Sequence, residues 1–594
     1  MKGFWGIVIA QFTGAFNDNA FRWFLIGLAT KDVTDENVKA RIIALSASLF
    51  LIPYLLVSMN AGSLADRFSK RKVLMVSKGA EAVIMALIAF AFVGTEGREV
   101  AEVSRFTYLF ILLFLLGLQA AYYSPAKFGA LPEILPEKRL SWGNGVLELT
   151  GFIAIITGTA CGPALLRLHL YVAPLVFSTA ALIGLAATWF VPRVPPASPD
   201  RKVRINPLHD LMEHGGRLLA NRLLFLTLLG VVYIWSLGLL FQLNVAVYAE
   251  KNLGLVPEQL GYPMATVALG VGAGCMLAGY LSGKTIEIGL VPLGAAGTGL
   301  CSIALYLTSG SWWPSFAVFL FLGVFAGFFI VPTHAFLQEE SADEDKGGIW
   351  AATNFLQTLG MLCAAGVFYI LQAVLRLGPD TVFLIAGIFT LGTAGLIAWV
   401  LPETIGRLAV WVRTWRGRPV LAGQDNLPPH GPILLVASGE PRPDGFLILS
   451  GTRRLVRFVL PPEVLVTTPT RATARWLKAI FISGATPADA LNTAIEAARK
   501  RLAEGEAVCV FARPPPALNG AGGAGDLYRV ALAKLMETMV LPVVPVRITG
   551  HVDGAKRGGD DPFAGRSSVV FERPWDRTVS ADQVIARLED GGGA

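Results

Sequence analysis

Charge is what this sequence has little of. Only 16% of its 594 residues are Asp, Glu, Lys or Arg, and 54% are hydrophobic, whereas an ordinary soluble protein is about a quarter charged. Lipid is therefore the expected solvent for much of the chain. Cysteine and histidine are scarcer still, at five and six residues. Cys161, Cys275, Cys301 and Cys363 stand singly in apolar stretches and Cys509 lies in the tail, with no CxxC pair and no metal spacing. These five are expected to be reduced packing residues, with no metal and no cofactor. The first ten residues lack the basic n-region and cleavage site of a secretory signal, so this segment is expected to be retained. The net charge of +7 does not point to nucleic acid, because the cations collect in short loops and the tail between apolar segments.

What the sequence does have is a recurring apolar run of about 18 to 25 residues, long enough to cross a hydrocarbon core of roughly 30 Å as a helix. The runs lie at residues 5–28, 41–62, 73–94, 105–124, 142–167 and 171–192, then 222–248, 262–282, 289–309, 312–336, 348–374 and 380–401. They predict a polytopic α-helical membrane protein of about twelve helices, in two sets of six. Between the sets, Pro195, Pro196, Pro199 and Pro207 accompany Arg193, Arg201, Lys202, Arg204 and Arg217, which no span tolerates. The expected domains are an N-terminal bundle at 1–192, a linker at 193–221, a second bundle at 222–402 and a different domain at 403–594.

Basic residues are retained on the cytoplasmic side. Arg67, Lys70, Arg71 and Lys72, then Lys127, Lys138 and Arg139, the linker, and Arg407 to Arg418 all fall on one face. Both termini are thus expected in the cytoplasm. The acidic run Glu339, Glu340, Asp343, Glu344 and Asp345 dissents in net charge, but the rule counts cations. The two sets also match in places: Gly62-Ser-Leu-Ala-Asp66-Arg67 answers Gly279-Tyr-Leu-Ser-Gly283-Lys284, and Pro125-Ala-Lys127 answers Pro332-Thr-His334. Such matches are the trace of a transporter built from repeats.

Beyond Glu403 the apolar runs shorten. Residues 433–437, 446–449, 508–511, 541–548 and 568–571 read as strands, and 487–504 and 526–538 as amphipathic helices, enough for one α/β domain.

Three groups of residues could carry chemistry. In the first helix, Asn17, Asp18 and Asn19 interrupt an apolar span. A buried Asp there costs about 2.5 to 3.5 kcal/mol on insertion scales, so it should face an internal cavity and a partner. Lys127, Asn144 and Glu148 follow in the fourth and fifth helices, the last two on one face at a spacing of four. Lys127 suits either a phosphate or Asp18, or an anchor in the headgroups. In the second set the polar candidates are uncharged: Gln242, Asn244, Asn354 and Gln357. Amides can bind a polar headgroup, or merely join helices.

The pattern Gly62, Asp66, Arg67, Lys70, Arg71 and Lys72 resembles the loop signature of the major facilitator superfamily between its second and third helices. Here Gly permits close helix approach, and Asp accepts from a neighbouring helix end or pairs with Arg as the halves rock. Gln11 to Phe21, Tyr123 to Glu133, Gly143 to Glu148, Leu281 to Gly294 and Phe329 to Pro332 together resemble one branch of it, the bacterial lysophospholipid transporters, in particular members fused to an acyltransferase. The resemblance covers about the first 400 residues. It implies a twelve-helix fold of 6+6 repeats. It also implies flipping of lysophosphatidylethanolamine and related lipids across the bacterial inner membrane, with the bilayer as partner. Stand-alone members carry ionisable residues in the seventh and eleventh helices, where Gln242 and Gln357 stand here.

The tail resembles a glycerolipid acyltransferase in its order of segments but lacks that family's chemistry. The family uses a His as general base and an Asp five residues on to hold it. Here Asp444 is present but Gly439 stands in place of the His, and the second motif reads Phe511-Ala512-Arg513-Pro514, without its Glu and Gly. The expectation is a transporter with a degenerate acyltransferase-like tail, not an enzyme. Rival readings are a bifunctional transporter and acyltransferase, or a facilitator for another amphiphile or a drug. A tail without catalysis leaves open the recruitment of a separate acyltransferase or acyl carrier protein.

Overall fold

The computed structural model of the chain describes residues 2–31, 33, 36–92, 102–136, 139–168, 171–196, 198–199, 222–255, 259, 261–282, 286–341, 346–414, 420–428, 431–438, 441–452, 454, 456–460, 474–482, 486–512, 529–530, 532–536, 541–549, 568–575 and 580–589. It separates into two compact units, Met1–Ala394 and Gly395–Ala594.

The first unit is helical. Six helices, α1 (Lys2–Thr30), α2 (Glu36–Arg67), α3 (Lys70–Phe90), α4 (Glu102–Ile134), α5 (Leu140–Leu165) and α6 (Val172–Thr188), are followed by α7 (Arg222–Lys251), α8 (Gly261–Ser282), α9 (Leu290–Leu307), α10 (Trp312–Glu340), α11 (Lys346–Tyr369) and α12 (Pro379–Val400). A π-helical turn, Ile370–Val374, closes α11. Among the described residues, ten of these helices are long and apolar enough to cross a membrane. The other two fall short for local reasons: α1 carries the polar run around Asn17 to Asn19, and α6 has 17 residues.

The packing repeats from one half to the other. α1 lies against α5 as α7 lies against α11, α2 against α4 as α8 against α10, and α3 against α4 as α9 against α10. The halves meet through α2 with α11 and α5 with α8, so the second and fifth helices of each half face the fifth and second of the other. The α5 and α8 backbones come very close. A Cβ on Gly145 would lie 2.6 Å from the Cys275 carbonyl oxygen, and one on Gly279 would lie 2.9 Å from that of Ser141. Small residues make such crossings possible in lipid. Of the cysteines expected as packing residues, Cys275 and Cys509 are buried and Cys301 half-buried, but Cys161 and Cys363 are exposed. An apolar medium accepts a thiol on either side, so placement in an apolar run did not decide between them.

The second unit opens with the amphipathic helix α13 (Pro402–Thr414) and contains a seven-stranded sheet. Its strands are β1 (Val420–Ala422), β2 (Ile433–Ala437), β3 (Val456–Leu460), β4 (Ile480–Phe481), β5 (Ala507–Phe511), β6 (Val543–Thr549) and β7 (Ser568–Phe571), in spatial order β1-β7-β6-β2-β5-β3-β4. All pair in parallel except β6 with β7. Among the described residues, α14 (Pro441–Gly451), α15 (Pro487–Ala503) and α16 (Ala581–Glu589) accompany them, and residues 532–536 are also helical. A parallel sheet is covered on both faces, and β2 shows how. Leu434 and Val436 join a core with α15 and α16, whereas Ile433, Leu435 and Ala437 join one with α13 and α14. Residues 446–449, expected as a strand, lie in helix α14. An apolar run of four fits either state, and Pro441 at the start favours helix.

Arg457, the second residue of β3 and 4% exposed, pins α13 to the sheet: it bonds both carboxylate oxygens of Glu506 at 2.8 and 3.1 Å and the Leu477 carbonyl at 2.8 Å, and lies 3.5 Å from Glu403. Burial pushes the Glu506 carboxyl up, but the hydrogen bonds and charge of Arg457 outweigh burial and leave it below the ordinary value. A depressed folded pKa gives stability that is complete above the unfolded value of about 4.3 and is lost as pH falls through the folded one. Glu506→Gln should therefore destabilise the tail by about 1 to 3 kcal/mol at pH 7. The gap from wild type should narrow in acid, as followed by thermal unfolding of the purified full chain at a series of pH values.

Candidate functional site

The interior of the first half is organised by charge. Lys78 and Glu81, one turn apart on α3 and each 1% exposed, pair at 2.6 Å. The other Glu81 oxygen accepts from Asn17 Nδ2 at 3.0 Å, and Asn17 also donates to the Phe177 carbonyl at 3.1 Å. The ammonium of Lys78 lies 5.0 Å from the centre of the Tyr123 ring. A Cβ on Gly14 would sit 2.3 Å from Lys78 Nζ, so a larger residue there would displace the ammonium from this position. Asn17 thus joins α1 to α3 and α6. Asn19 is also locally engaged: it donates to the Ala15 carbonyl and accepts from Arg22 at 3.1 Å. Asp18 lies between them, and its Oδ1, like that of Asn17, is buried with no hydrogen-bond partner among the described residues.

A second cluster ties the halves together at the end that carries Asp66 to Lys72. Lys127 on α4 donates to Gln11 Oε1 at 2.9 Å and lies 4.0 Å from the centre of the Phe128 ring. Phe128 stacks on Trp350 of α11 at 4.1 Å with 9° between the planes. His334 of α10 presents an edge to both rings, at 5.6 and 5.2 Å, and lies parallel to Trp235. Its Nδ1 is 3.3 Å from Glu148 Oε1 on α5. Asn144, one turn before Glu148, exchanges two hydrogen bonds with Gln338 at 2.7 and 3.1 Å. Asn354 donates to Ser124 at 2.9 Å. Lys127 and His334, matched in the two repeats, thus stand in one cluster.

The signature loop contributes at the same end. Asp66, buried at the end of α2, accepts from the backbone N–H of Gly348 in the first turn of α11 at 2.9 Å, where the helix dipole favours an anion. Lys70 pairs with Glu133 at 2.7 Å, Arg67 lies over Phe68, and Gly62 is buried on α2. Arg71 lines a surface pocket with Lys72.

Of the candidate residues, Lys127, Asn144, Glu148 and Asn354 fall in one region. Gln242 is exposed on α7 and Gln357 half-buried. Asn244 donates to the Pro379 carbonyl and links α7 to the start of α12. Sequence reasoning overlooked Lys78, Glu81 and Gln338. The first two carried a signal, since ions three residues apart inside an apolar helix are costly and share a face. Gly439 and Arg513 lie outside the described residues, and only the backbone of Asp444, in α14, is described.

The model of the Major Facilitator Superfamily matches residues 7–365. The lysophospholipid transporter LplT of Klebsiella pneumoniae is 29% identical over 402 residues, 67% of this chain and 96% of that protein. LplT of Photorhabdus laumondii is 28% identical over 422 residues, 70% and 97% of the two chains. Among solved structures, the human organic anion transporter MFSD10 aligns with a TM-score of 0.53 at 16% identity, over 66% of this chain and 99% of the other. A bacterial homologue of the iron transporter ferroportin aligns at 0.51 and 14%, over 67% and 98%. At these identities the structures speak for the fold.

Because Lys78 and Glu81 neutralise each other out of water, Lys78→Met should destabilise the first unit by about 3 to 5 kcal/mol by stranding the carboxylate. Lys78→Met with Glu81→Leu should recover part of the loss, as measured by thermal unfolding in detergent.

Proposed function

The chain belongs to the major facilitator superfamily, and from that premise we propose that it is a lysophospholipid transporter moving lysophosphatidylethanolamine-type lipids from the outer to the inner leaflet of a bacterial inner membrane. Both termini and the tail then lie in the cytoplasm, on the side of Asp66 to Lys72. The relatives named for lysophospholipid transport match along nearly their whole length. The observation that carries the reading is Asp18. A buried acceptor without a partner demands an explanation, and the ammonium of an ethanolamine headgroup would supply the missing donor. Lys127, held by the neutral Gln11, has no carboxylate partner at hydrogen-bond range among the described residues and can exchange that amide for a phosphate.

In this reading the halves are latched at the cytoplasmic end by Asn144 with Gln338, Glu148 with His334, Phe128 with Trp350, and Asp66 with the α11 N-terminus. The headgroup enters from the opposite side while the acyl chain stays in lipid. Release to the inner leaflet requires these ties to part. Asn17 acts as the bracket that orients α1 and so Asp18, rather than as a ligand. Asn354 and Gln357 line the path from the second half.

The tail is read as a degenerate acyltransferase-like module. β2 and β5 pair in parallel with Ala437 opposite Phe511, so the segments after both strands leave the sheet at one edge, the usual place for a site in an open parallel sheet. Position 439 follows β2 and position 513 follows β5, where that family carries its motifs. Glycine at 439 cannot accept a proton.

Two outcomes are expected. In proteoliposomes with labelled lysolipids, Asp18→Asn keeps the shape but removes the charge. It should slow lysophosphatidylethanolamine flipping more than lysophosphatidylglycerol flipping, at equal protein abundance. Equal rates for wild type and variant on both lipids remove Asp18 from the site, and no lysolipid movement by wild type sinks the transport reading. The purified full chain, given acyl donor and lysolipid, should show no acyl transfer, since loss of a general base costs about 10² to 10⁴ in rate. Turnover at enzyme-like rates would refute the second reading alone.

A further inference from the structure

Outside the cluster between the halves, the first unit has a surface pocket of about 580 Å³ between the start of α3 and the segment after α6, within the range of small-ligand sites. Arg71, Lys72 and Arg193 line it, over an apolar floor that includes Met75, Val76 and Pro195. Among the described residues none of the three cations is matched with a carboxylate. Val76 is 64% exposed on the membrane-spanning α3, so the floor opens toward lipid tails while the cations stand at the headgroup level. We propose that this pocket binds the headgroup of an anionic diacyl phospholipid, such as phosphatidylglycerol, as a site separate from the transport path.

Three cations beside an apolar floor match a phosphate attached to acyl chains better than a free anion, which would leave the floor uncovered. The walls also connect to the latch. The chain that carries Arg193 runs on to Ser198, whose N–H donates to the Asp66 carbonyl oxygen at 2.9 Å, and the Asp66 carboxylate holds the N-terminus of α11. A lipid bridging Arg71 and Lys72 to Arg193 fastens the two walls and favours the state closed at this end.

Native mass spectrometry of the full chain in detergent, offered phosphatidylglycerol or phosphatidylcholine, tests this. Wild type should retain phosphatidylglycerol in preference, and millimolar inorganic phosphate should not displace it. Each cation removed should weaken retention about fivefold, so that the triple variant Arg71→Gln, Lys72→Gln, Arg193→Gln loses the preference. Arg71→Lys with Arg193→Lys should keep it, which separates charge from misfolding. Equal retention of the two lipids by wild type, or undiminished phosphatidylglycerol binding by the triple variant, would overturn the proposal. Displacement by phosphate would overturn it too, because the ligand would then be the free anion.

Discussion

An ion taken out of water has to be matched within the reach of its own side chain, and this requirement arranges the interior of the helical unit. Lys78 and Glu81 satisfy it between themselves, but Glu81 has a second oxygen, and that oxygen draws Asn17 and with it α1 against α3. Asn17 in turn needs a second acceptor and finds it on α6. Three helices are thereby fixed by one pair of charges. The same rule recurs in the tail, where Arg457 inside a sheet strand collects carboxylates from α13 and from the turn before β5.

The ties between halves are of a different kind. Amide pairs, a stacked ring pair and a carboxylate beside an imidazole can part and re-form at moderate cost, because each group can turn to another partner or to water. A buried ion pair holding the halves would be far harder to open. Strong electrostatics thus hold the first half together, and weaker, exchangeable contacts join it to the second.

The spans and their division into two sets were legible because their signal is local: run length and composition suffice for a helix in lipid. That Asn144 and Glu148 share a face was legible for the same reason, through helix spacing. The role of Asn17 was not, since it depends on α1 meeting α3 across 64 residues of chain. Gln242, exposed on α7, marks the limit of that signal, because polarity in an apolar span does not say which way the face points. In the tail, the short strands β1 and β4 are too brief to show a pattern. β3 was hidden by a buried arginine whose partners, Glu403 and Glu506, lie far from it in sequence.

The crossing of α5 over α8 constrains how this protein can change over generations. A larger residue in a side-chain core can be accommodated by trimming its neighbour, so such sites drift in pairs. At Gly145 and Gly279 the opposing atoms are main-chain carbonyls, which no codon change can shorten. Mutational escape at this joint is closed from both directions, whereas the polar latch can be rewritten residue by residue. Lineages built on this framework can therefore diverge in what they hold and when they open, while the pivot between α5 and α8 stays fixed.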